Sequence, residues 1–506
     1  MRRRATPTAI IAATVAALVL TAAPTSTAQL VPTSTGTILH VAPSGCSDSG
    51  QGTLALPFCT VVKAAKVATA GTTVLVADGT YPGEVRPWRS GTPAAPIVYA
   101  PEPGARPVLT GGKHNFTISK LSNLQIRGFT LQDATADAIV FYSASDILMD
   151  DNVIQRAGAP VSGQSGRGIY LSDTFDSTFS GNTIRDNAGS GVYISGGSSR
   201  NTFSGNDVSA NAYGYIRNGV GIDVRASGNT IIGNRTHDNE DSGIQVYPGG
   251  DNTVVVNNIS YDNAGFTTTM LSNCSPPPSG APGCITGDHG IDHLNVTGGT
   301  VVGNTVYANI SAGINIEGGN PAVPANFTVA NNVVVDNAIA CPDGLGGTGA
   351  CPRSKGNIRV EAGSQLGTTL DYDLFHLSSS GYQVIWGPGW YTQVSAFAAA
   401  TGMESQGLQQ DPQFTNAAAG IFTPKSTSPA IDSAKSDAPS QTTSDAVGTP
   451  RTDILTVPNT GSGPRGYDDR GALEVGIASA AGESGAWGAR AIPAPRRQSV
   501  HPPTAA

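Results

Sequence analysis

Two neighbouring segments of the chain concentrate carboxylates and histidines at a spacing that suits metal binding or proton transfer. Residues 237–245 read HDNEDSGIQ, and residues 287–293 read GDHGIDH. Aligning the Gly-Ile steps of the two segments places Asp241 beside Asp288. Extending the alignment to the neighbouring Gly-Ile steps predicts one outward-facing column of polar side chains, which consists of Asp223, Gln245, Asp292 and Asn315.

Stacked carboxylates repel one another unless a cation lies between them. Calcium is the natural candidate, because it accepts irregular cages of oxygen ligands. We therefore predict a calcium site formed by Asp241, Asp288 and Asp292, with Asp223 as a possible further ligand. The alternative is that these aspartates are solvated turn residues, since aspartate is common in loops.

Two side chains beside the column are candidates for moving a proton. His289 lies between two aspartates and could titrate near neutral pH. Arg225 could act as a base or bind a substrate carboxylate, and a solubilising surface charge is an equally good interpretation. His293 follows Ile291 by two residues, so strand alternation points its ring inward and a structural role is expected. The remaining polar side chains of the column and its flank are predicted to bind substrate: Gln245, Asn315 and Glu317.

Both acidic segments belong to a repeat that runs through most of the chain. Steps of 24, 28 and 30 residues separate most of the asparagines that open similar units, and in six units a second asparagine follows five residues later. The openers are Asn152, Asn182, Asn206, Asn234, Asn258, Asn304 and Asn332. The period is too short for a βαβ unit, and the alternating Ile and Val positions have the two-residue period of strands.

Each unit is therefore predicted to be one coil of two or three short strands, stacked on the next coil at about 4.8 Å. Aligned asparagines can hydrogen-bond along the stack, while Ile and Val fill its interior. Leucine-rich repeats and propellers, the rival repeat architectures, have signatures that this sequence lacks.

The predicted fold is all-β, a right-handed parallel β-helix solenoid with an N-terminal cap and a C-terminal capping segment. Caps are expected because the ends of an open solenoid expose unpaired strand edges. A short amphipathic helix is predicted at Thr60–Ala70. The predicted divisions are a signal peptide (1–28), the N-terminal cap and first coil (29–110), the β-helix (111–375), the C-terminal coil and capping segment (376–475) and a disordered tail (476–506).

The N-terminus has the pattern of an export signal. Arginines at positions 2–4 precede an apolar stretch at 9–23, and Ser26-Thr27-Ala28 forms a small-residue cleavage site. The stretch is too short for a spanning helix, and no later segment reaches about 18 apolar residues. We therefore expect a secreted, extracellular and monomeric protein that does not stay in a membrane.

The six cysteines form three close pairs, which are Cys46 with Cys59, Cys274 with Cys284, and Cys341 with Cys351. Local disulfides are the simplest prediction, although six cysteines allow other connectivities. Zinc is disfavoured, because no CxxC or HxxxH spacing occurs.

Composition narrows the class of partner. Charged residues make up 13% of the chain, and the formal net charge is −8. Nucleic acid is excluded as a partner, since it would call for a basic stripe. An acidic glycan is still compatible, because a bound calcium ion can reverse the local field.

A long insertion interrupts the repeat beside the acidic segments. The chain takes 27 residues from Asn263 to Gly290, where short units take four. Prolines at 276–278 exclude a regular strand there. We predict a loop stapled by Cys274 and Cys284 that projects beside the column and forms a wall of a groove.

The ends of the chain and the acidic segments carry a family resemblance. Residues 38–45 (ILHVAPSG), Gly79-Thr80-Tyr81 and the closing segment from Asp411 to Glu474 resemble bacterial polysaccharide-active β-helix proteins. Around the column, the sequence resembles polysaccharide lyase family nine, the calcium-dependent pectate lyases with a β-helix. That family uses an Asp-Asp-Gly-aromatic-Asp segment for calcium, together with an aspartate one coil earlier.

Asp288, Gly290 and Asp292 match three positions of the family's calcium segment, and Asp241 matches the earlier aspartate. His289 stands where the family has its middle aspartate. The family's catalytic lysine lies on the following coil, and Asn315 takes its place here; no lysine occurs between positions 120 and 355. The resemblance implies a calcium-dependent lyase acting on a uronate-containing polysaccharide, with His289 or Arg225 replacing the lysine as base.

Two other functions remain open at this point. A glycoside hydrolase could draw paired carboxylates from Asp223, Asp292 and Glu317, with a separation that depends on the stereochemical outcome. The chain lacks the Asn-Thr-Asp and Arg-Ile-Lys motifs of a polygalacturonase. A non-catalytic glycan-binding or surface protein on the same scaffold is the third possibility, because fold alone does not decide activity.

Overall fold

The computed structural model describes residues 36–158, 166–212, 219–263, 289–339 and 355–476. The predicted signal peptide, Asp288, the stapled loop, both pairs Cys274/Cys284 and Cys341/Cys351, and all but the first residue of the predicted tail lie outside these ranges. Within them the chain winds into a parallel β-helix, and each complete coil contributes one strand to each of three sheets.

Sheet 1 opens at the N-terminal end of the helix. Its strands are β1 Ile38–Val41, β2 Thr73–Val76, β4 Ile97–Pro101, β7 Ser122–Arg127, β10 Ser145–Asp150, β13 Thr178–Ser180, β16 Thr202–Ser204, β19 Thr230–Ile232, β22 Thr253–Val256, β25 Gly299–Val302, β28 Phe327–Ala330 and β31 Thr369–Asp371.

Sheet 2 follows sheet 1 along each coil. Its strands are β3 Thr80–Pro82, β5 Val108–Thr110, β8 Thr130–Gln132, β11 Val153–Gln155, β14 Thr183–Arg185, β17 Asp207–Ser209, β20 Arg235–His237, β23 Ile259–Tyr261, β26 Thr305–Tyr307, β29 Val333–Val335, β32 Leu374–His376 and β35 Leu408–Gln409.

Sheet 3 carries the polar column. Its strands are β6 Phe116–Ser119, β9 Ile139–Tyr142, β12 Ile169–Ser172, β15 Val192–Ser195, β18 Ile222–Val224, β21 Ile244–Val246, β24 Ile291–Leu294, β27 Ile314–Glu317, β30 Ile358–Val360, β33 Val384–Trp386 and the antiparallel β34 Gly389–Tyr391.

The interior is filled by the alternate residues of each strand, as the two-residue period predicts. Ile222 and Val224 of β18 are fully buried in one continuous core that runs along the helix. Like residues also stack on like: the Phe179 and Phe203 rings of neighbouring coils are parallel, with centroids 4.5 Å apart. The core therefore fixes which face of every strand points outward.

The asparagine openers form the predicted ladder. Asn182 Nδ2 donates to Asn206 Oδ1 at 3.0 Å, and the same contact repeats from Asn152 to Asn332, where the ladder ends on Asp373. The second set of asparagines forms a parallel ladder from Asn187 to Asn357. These amides satisfy turn carbonyls and amides that would otherwise be buried without a partner.

Short helices lie at the two ends of the solenoid. Helix α1, Val61–Val67, falls within the predicted Thr60–Ala70, and its N-cap Thr60 accepts a hydrogen bond from the Lys63 N–H at 3.1 Å. Helix α2, Val394–Thr401, ends at Gly402, whose φ of 75° suits glycine. Two 3₁₀ turns lie at Ala362–Ser364 and Ala417–Ala419. The predicted Cys46–Cys59 disulfide is present.

The hairpin that follows helix α2 and β35 covers sheet 2. The hairpin of β36 (Phe414–Asn416) and β37 (Ile421–Pro424) places Phe422 against Tyr261 and Tyr307, with ring centroids 5.0 and 5.3 Å apart. In the described part of the chain, no helix is long and apolar enough to cross a membrane.

Candidate functional site

The predicted column exists in the register of sheet 3. Pairing of β18, β21, β24 and β27 places Asp223, Gln245, Asp292 and Asn315 side by side on successive coils. Their side chains alternate with inward-facing Ile and Val residues, or with His293 beside Asp292, and so point away from the interior. All four are nevertheless buried, with exposed fractions of 0–4%. The column is therefore a desolvated polar cluster rather than a solvated face.

Arg359 extends the column by one coil and was not predicted. It pairs with Asn315 across β27 and β30, and its side chain is 11% exposed. A signal for it existed, because residues 358–361 (IRVE) repeat the pattern of residues 314–317 (INIE). The insertion before Lys355 and the asparagine in place of the usual glycine at position 357 obscured that signal.

Hydrogen bonds link the column from Gln245 to Arg359. Asp292 accepts from Gln245 Nε2 at 3.0 Å on one oxygen and from Asn315 Nδ2 at 2.8 Å on the other. Asn315 Oδ1 in turn accepts from Arg359 Nη1 at 2.7 Å. The same guanidinium also donates to Glu317 at 2.9 Å and to Glu361. Because each amide is fixed by a charged neighbour, the orientation of every group in the column is defined.

Burial sets the protonation of Asp292. Desolvation, followed by the negative charge of Glu317, raises the pKa of Asp292 to about 7, although the Gln245 and Asn315 hydrogen bonds oppose the shift. Burial alone would also raise the pKa of Glu317. The charges of His289 and Arg359 and the hydrogen bonds from Asn315 and Arg359 outweigh that effect and lower it. Two neighbouring carboxylates therefore differ in their tendency to carry a proton.

His289 lies against Asp292 at the start of β24. Its Nδ1 is 3.7 Å from Asp292 Oδ1, a close electrostatic approach that is longer than a hydrogen bond. Its backbone N–H donates to Ser242 Oγ at 3.1 Å, and its carbonyl accepts from the Gly243 N–H at 3.0 Å. The ring is buried, and its charge acts on Asp241 as well as on Glu317.

Arg225 and Asp223 form a forked ion pair at the N-terminal side of the column. Arg225 Nε and Nη2 donate to the two Asp223 oxygens at 3.0 Å each. Burial raises the pKa of Asp223 to about 6, although Arg225 opposes the shift. With 38% of its side chain exposed, Arg225 is the charged group of the site that solvent reaches most easily. Its ion pair stabilises the protonated guanidinium, which favours anion binding over a role as base.

His293 has the structural position that strand alternation predicts. It pairs with Val246 and Ile316, residues of the core, and its ring meets Phe327 edge-on at 5.0 Å. Burial lowers the pKa of His293 to about 3, so its ring is neutral in the folded protein.

The donor chemistry around Asp241 suits a hard cation. Burial, followed by smaller effects that include repulsion from Asp292, raises the pKa of Asp241, and a divalent ion would relieve that repulsion. Asp241 Oδ1 already accepts two hydrogen bonds from Ser242. Within the described ranges, no three His, Cys, Asp or Glu side chains converge closely enough to hold a metal ion. The predicted ligand set therefore depends on Asp288, which lies outside those ranges.

Comparison with known proteins supports the fold. The family described as "Pel9A-like, right handed beta helix region" matches residues 39–340. The uncharacterized protein YwoF of Bacillus subtilis (strain 168) is 25% identical over 456 residues, which cover 78% of this chain and 92% of that protein.

Two solved structures resemble this chain. Pectate lyase Pel9A is 18% identical, with a TM-score of 0.50 over 88% of this chain and 97% of that one. A rhamnogalacturonan lyase is 16% identical, with a TM-score of 0.49 over 75% of this chain and 91% of that one. The likeness to Pel9A confirms the prediction of a parallel β-helix.

Proposed function

Because the chain belongs to the Pel9A-like right-handed β-helix family, we propose that it cleaves a uronate-containing polysaccharide by β-elimination on the outer face of sheet 3. The observation that carries this proposal is the continuous column on that face. It combines a buried histidine–aspartate contact with two fixed arginines, Arg225 and Arg359. Elimination next to a carboxylate needs both a proton acceptor and positive charge.

His289 is the proposed base. Its ring contacts Asp292 electrostatically, and that carboxylate would stabilise the imidazolium formed when the ring accepts a proton. The proton leaves the carbon next to the uronate carboxyl group, and the C–H electron pair forms the new double bond. The glycosidic oxygen departs with the electrons of its own bond and takes a proton from solvent.

Arg225 is the proposed binding group for the uronate carboxylate. Asp223 fixes its guanidinium, and the side chain is exposed enough to meet an incoming ligand. A planar guanidinium matches a carboxylate in shape and charge. Gln245, Asn315 and Glu317 are proposed to orient substrate or the catalytic groups, with Arg359 fixing Asn315 and Glu317.

Calcium is the proposed cofactor. Asp241 and Asp292 would hold it together with Asp288, and Asp223 could contribute if its pair with Arg225 opened. Bound calcium would supply positive charge that neutralises the uronate carboxylate. Titration calorimetry with calcium alone tests this proposal. An isotherm that Asp241→Asn weakens supports it, whereas unchanged binding in Asp241→Asn would remove Asp241 from the ligand set.

We also propose that the protein acts outside the cell. The N-terminal sequence pattern supports export, and the Cys46–Cys59 disulfide suits an oxidising compartment.

A glycoside hydrolase is the second candidate. The carboxylates of buried Asp292 and of mostly buried Glu317 lie on adjacent strands, and the charge of Glu317 acts on Asp292, an arrangement that acid–base hydrolysis also needs. Product analysis separates the two reactions. Elimination creates an unsaturated sugar that absorbs in the near ultraviolet, whereas hydrolysis yields new reducing ends without that absorbance.

A further inference from the structure

A stack of alternating tyrosine rings and guanidinium groups extends from the column toward the N-terminal coils of sheet 3. The guanidinium carbon of Arg167 lies 3.9 Å from the ring centroid of Tyr170 and 4.9 Å from that of Tyr193. The guanidinium carbon of Arg225 lies 5.1 Å from the centroid of Tyr193 and 4.5 Å from that of Tyr247. We name these five residues the aromatic–arginine stripe.

Both arginines of the stripe are held in the same way. Arg167 Nε and Nη2 donate hydrogen bonds to the two carboxylate oxygens of Asp137 at 2.9 and 3.0 Å. Arg225 forms the same forked pair with Asp223. The side chains of Asp137 and Asp223 are only 8% and 3% exposed, so each guanidinium is fixed from below by a buried carboxylate. Nη1 of neither arginine takes part in a hydrogen bond among the described residues.

Two forked Arg–Asp pairs on other coils of the solenoid differ, because their aspartates are exposed. Arg200 forms a forked ion pair with Asp176, and Arg156 forms one with Asp133, but both aspartates are more than 40% exposed. Neither arginine lies between two aromatic rings in the described structure. Among the described residues, forked Arg–Asp pairs thus recur along the solenoid, whereas an arginine that lies between two aromatic rings and is paired with a buried carboxylate is found only beside the column.

The outer edge of the stripe has the character of a glycan-binding surface. Its tyrosines and arginines are half-buried, and Tyr142, which is 37% exposed, meets Tyr170 edge-on at 5.8 Å. The next column of the sheet carries the hydroxyls of Ser172 and Ser195. Aromatic rings, hydroxyls and oriented cations lie together along the axis of the helix, at the coil spacing of about 4.8 Å.

We propose that the aromatic–arginine stripe binds an anionic oligosaccharide that continues from the polar column toward the N-terminal coils. The choice of a uronate as the anion rests on the proposed function. Sugar rings offer apolar faces that pack on aromatic side chains, and the outward guanidinium donors suit carboxylates. The stripe therefore binds the part of the polymer that is not cleaved, and it favours longer chains over shorter ones.

Calorimetry with galacturonate oligomers tests the proposal on the full-length protein. Arg167→Gln should weaken binding of a hexamer by about tenfold or more, since a charge-assisted hydrogen bond is lost, while binding of a trimer at the column changes little. Tyr170→Leu, which keeps the Arg167–Asp137 pair, should also weaken hexamer binding. Arg200→Gln is the matched control, because it removes a similar ion pair away from the column and should leave both affinities unchanged.

Three outcomes would overturn the proposal. The first is no binding of the hexamer to the wild-type protein, and the second is equally tight binding of a neutral glucose hexamer. The third is unchanged hexamer affinity in both Arg167→Gln and Tyr170→Leu, with thermal midpoints showing that the variants are folded. If these variants lose hexamer affinity but the wild-type protein forms no unsaturated product, binding by the stripe is supported and only the proposed elimination reaction is contradicted.

Discussion

The Arg359 guanidinium donates a hydrogen bond to the Asn315 side-chain oxygen at 2.7 Å, and this bond places a positive charge one coil beyond the central asparagine. The resemblance to polysaccharide lyase family nine implies a lysine at position 315. In this chain the cation of that region comes from the next coil and is fixed between Glu317 and Glu361. The charge is thus retained near the column, although its chemistry differs, because an arginine stays protonated.

Replacing Arg359 by methionine should destabilise the fold. The change removes the Arg359 donor from Glu317 and from buried Asn315, and breaking a mostly buried ion pair costs about 3 kcal/mol or more. Chemical denaturation of the purified protein measures the loss. Arg200→Met is the control, since both Arg200 and its partner Asp176 are exposed and the expected loss of stability is small. Equal effects of the two changes would show that the Arg359 network adds no stability of its own.

His289 and Arg225 should have separable kinetic roles. His289→Asn should lower kcat by about a hundredfold or more with little change in KM, as expected for loss of a base. Arg225→Gln should mainly raise KM, because it removes a binding contact made to both substrate and transition state. Initial rates over a range of polymer concentrations distinguish the two effects. A large loss of kcat in Arg225→Gln together with a normal His289→Asn would reverse the assignment.

The asparagine ladder should tolerate little change at its centre. Asn234→Leu removes the amide that donates to Asn258 Oδ1 and to the Phe203 carbonyl, and also the oxygen that accepts from Asn206. Each buried group left without a partner costs about 1–3 kcal/mol, so the variant should be strongly destabilised or fail to fold. Expression level and thermal midpoint measure the effect. Asn320→Ala, at an exposed turn, should behave like wild type.

The ladders and the column could be predicted because one regular period fixes both. A Gly-Ile step marks the same point of successive coils, so aligning the steps gives the strand register of Asp223, Gln245, Asp292 and Asn315. Arg359 was not predicted as part of the column, because an insertion breaks the period and Asn357 replaces the glycine of the Gly-Ile step. The burial of the column was not predicted either, for a different reason. Strand alternation gives the direction of a side chain, whereas neighbouring coils and side chains decide how much water reaches it.

Stability should fall as the pH rises from neutral to alkaline values. His237 lies 3.3 Å from Asp207 and 2.7 Å from Asp238. Burial would lower its pKa, but the two carboxylates outweigh burial and raise it from 6.5 to about 9. Because the folded-state pKa is raised, the pair stabilises the protein fully below pH 6.5, and that contribution disappears as the pH approaches 9.

Thermal midpoints of wild type and Asp207→Asn across this pH window test the effect. Asp207→Asn should lower the midpoint near pH 6 and flatten its fall toward pH 9. Asp146→Asn, which changes an exposed carboxylate on sheet 1, is the control and should leave the slope as in wild type. A slope that persists in Asp207→Asn would remove the His237–Asp207 pair as its source.

The measurement that tests the central claim most directly is near-ultraviolet absorbance during incubation with polygalacturonate and alginate in the presence of calcium. Wild type and Arg200→Gln should produce a steady rise on at least one uronate polymer, while His289→Asn should produce about a hundredth of that rate or less. New reducing ends without a rise in absorbance would contradict elimination and favour hydrolysis by Asp292 and Glu317.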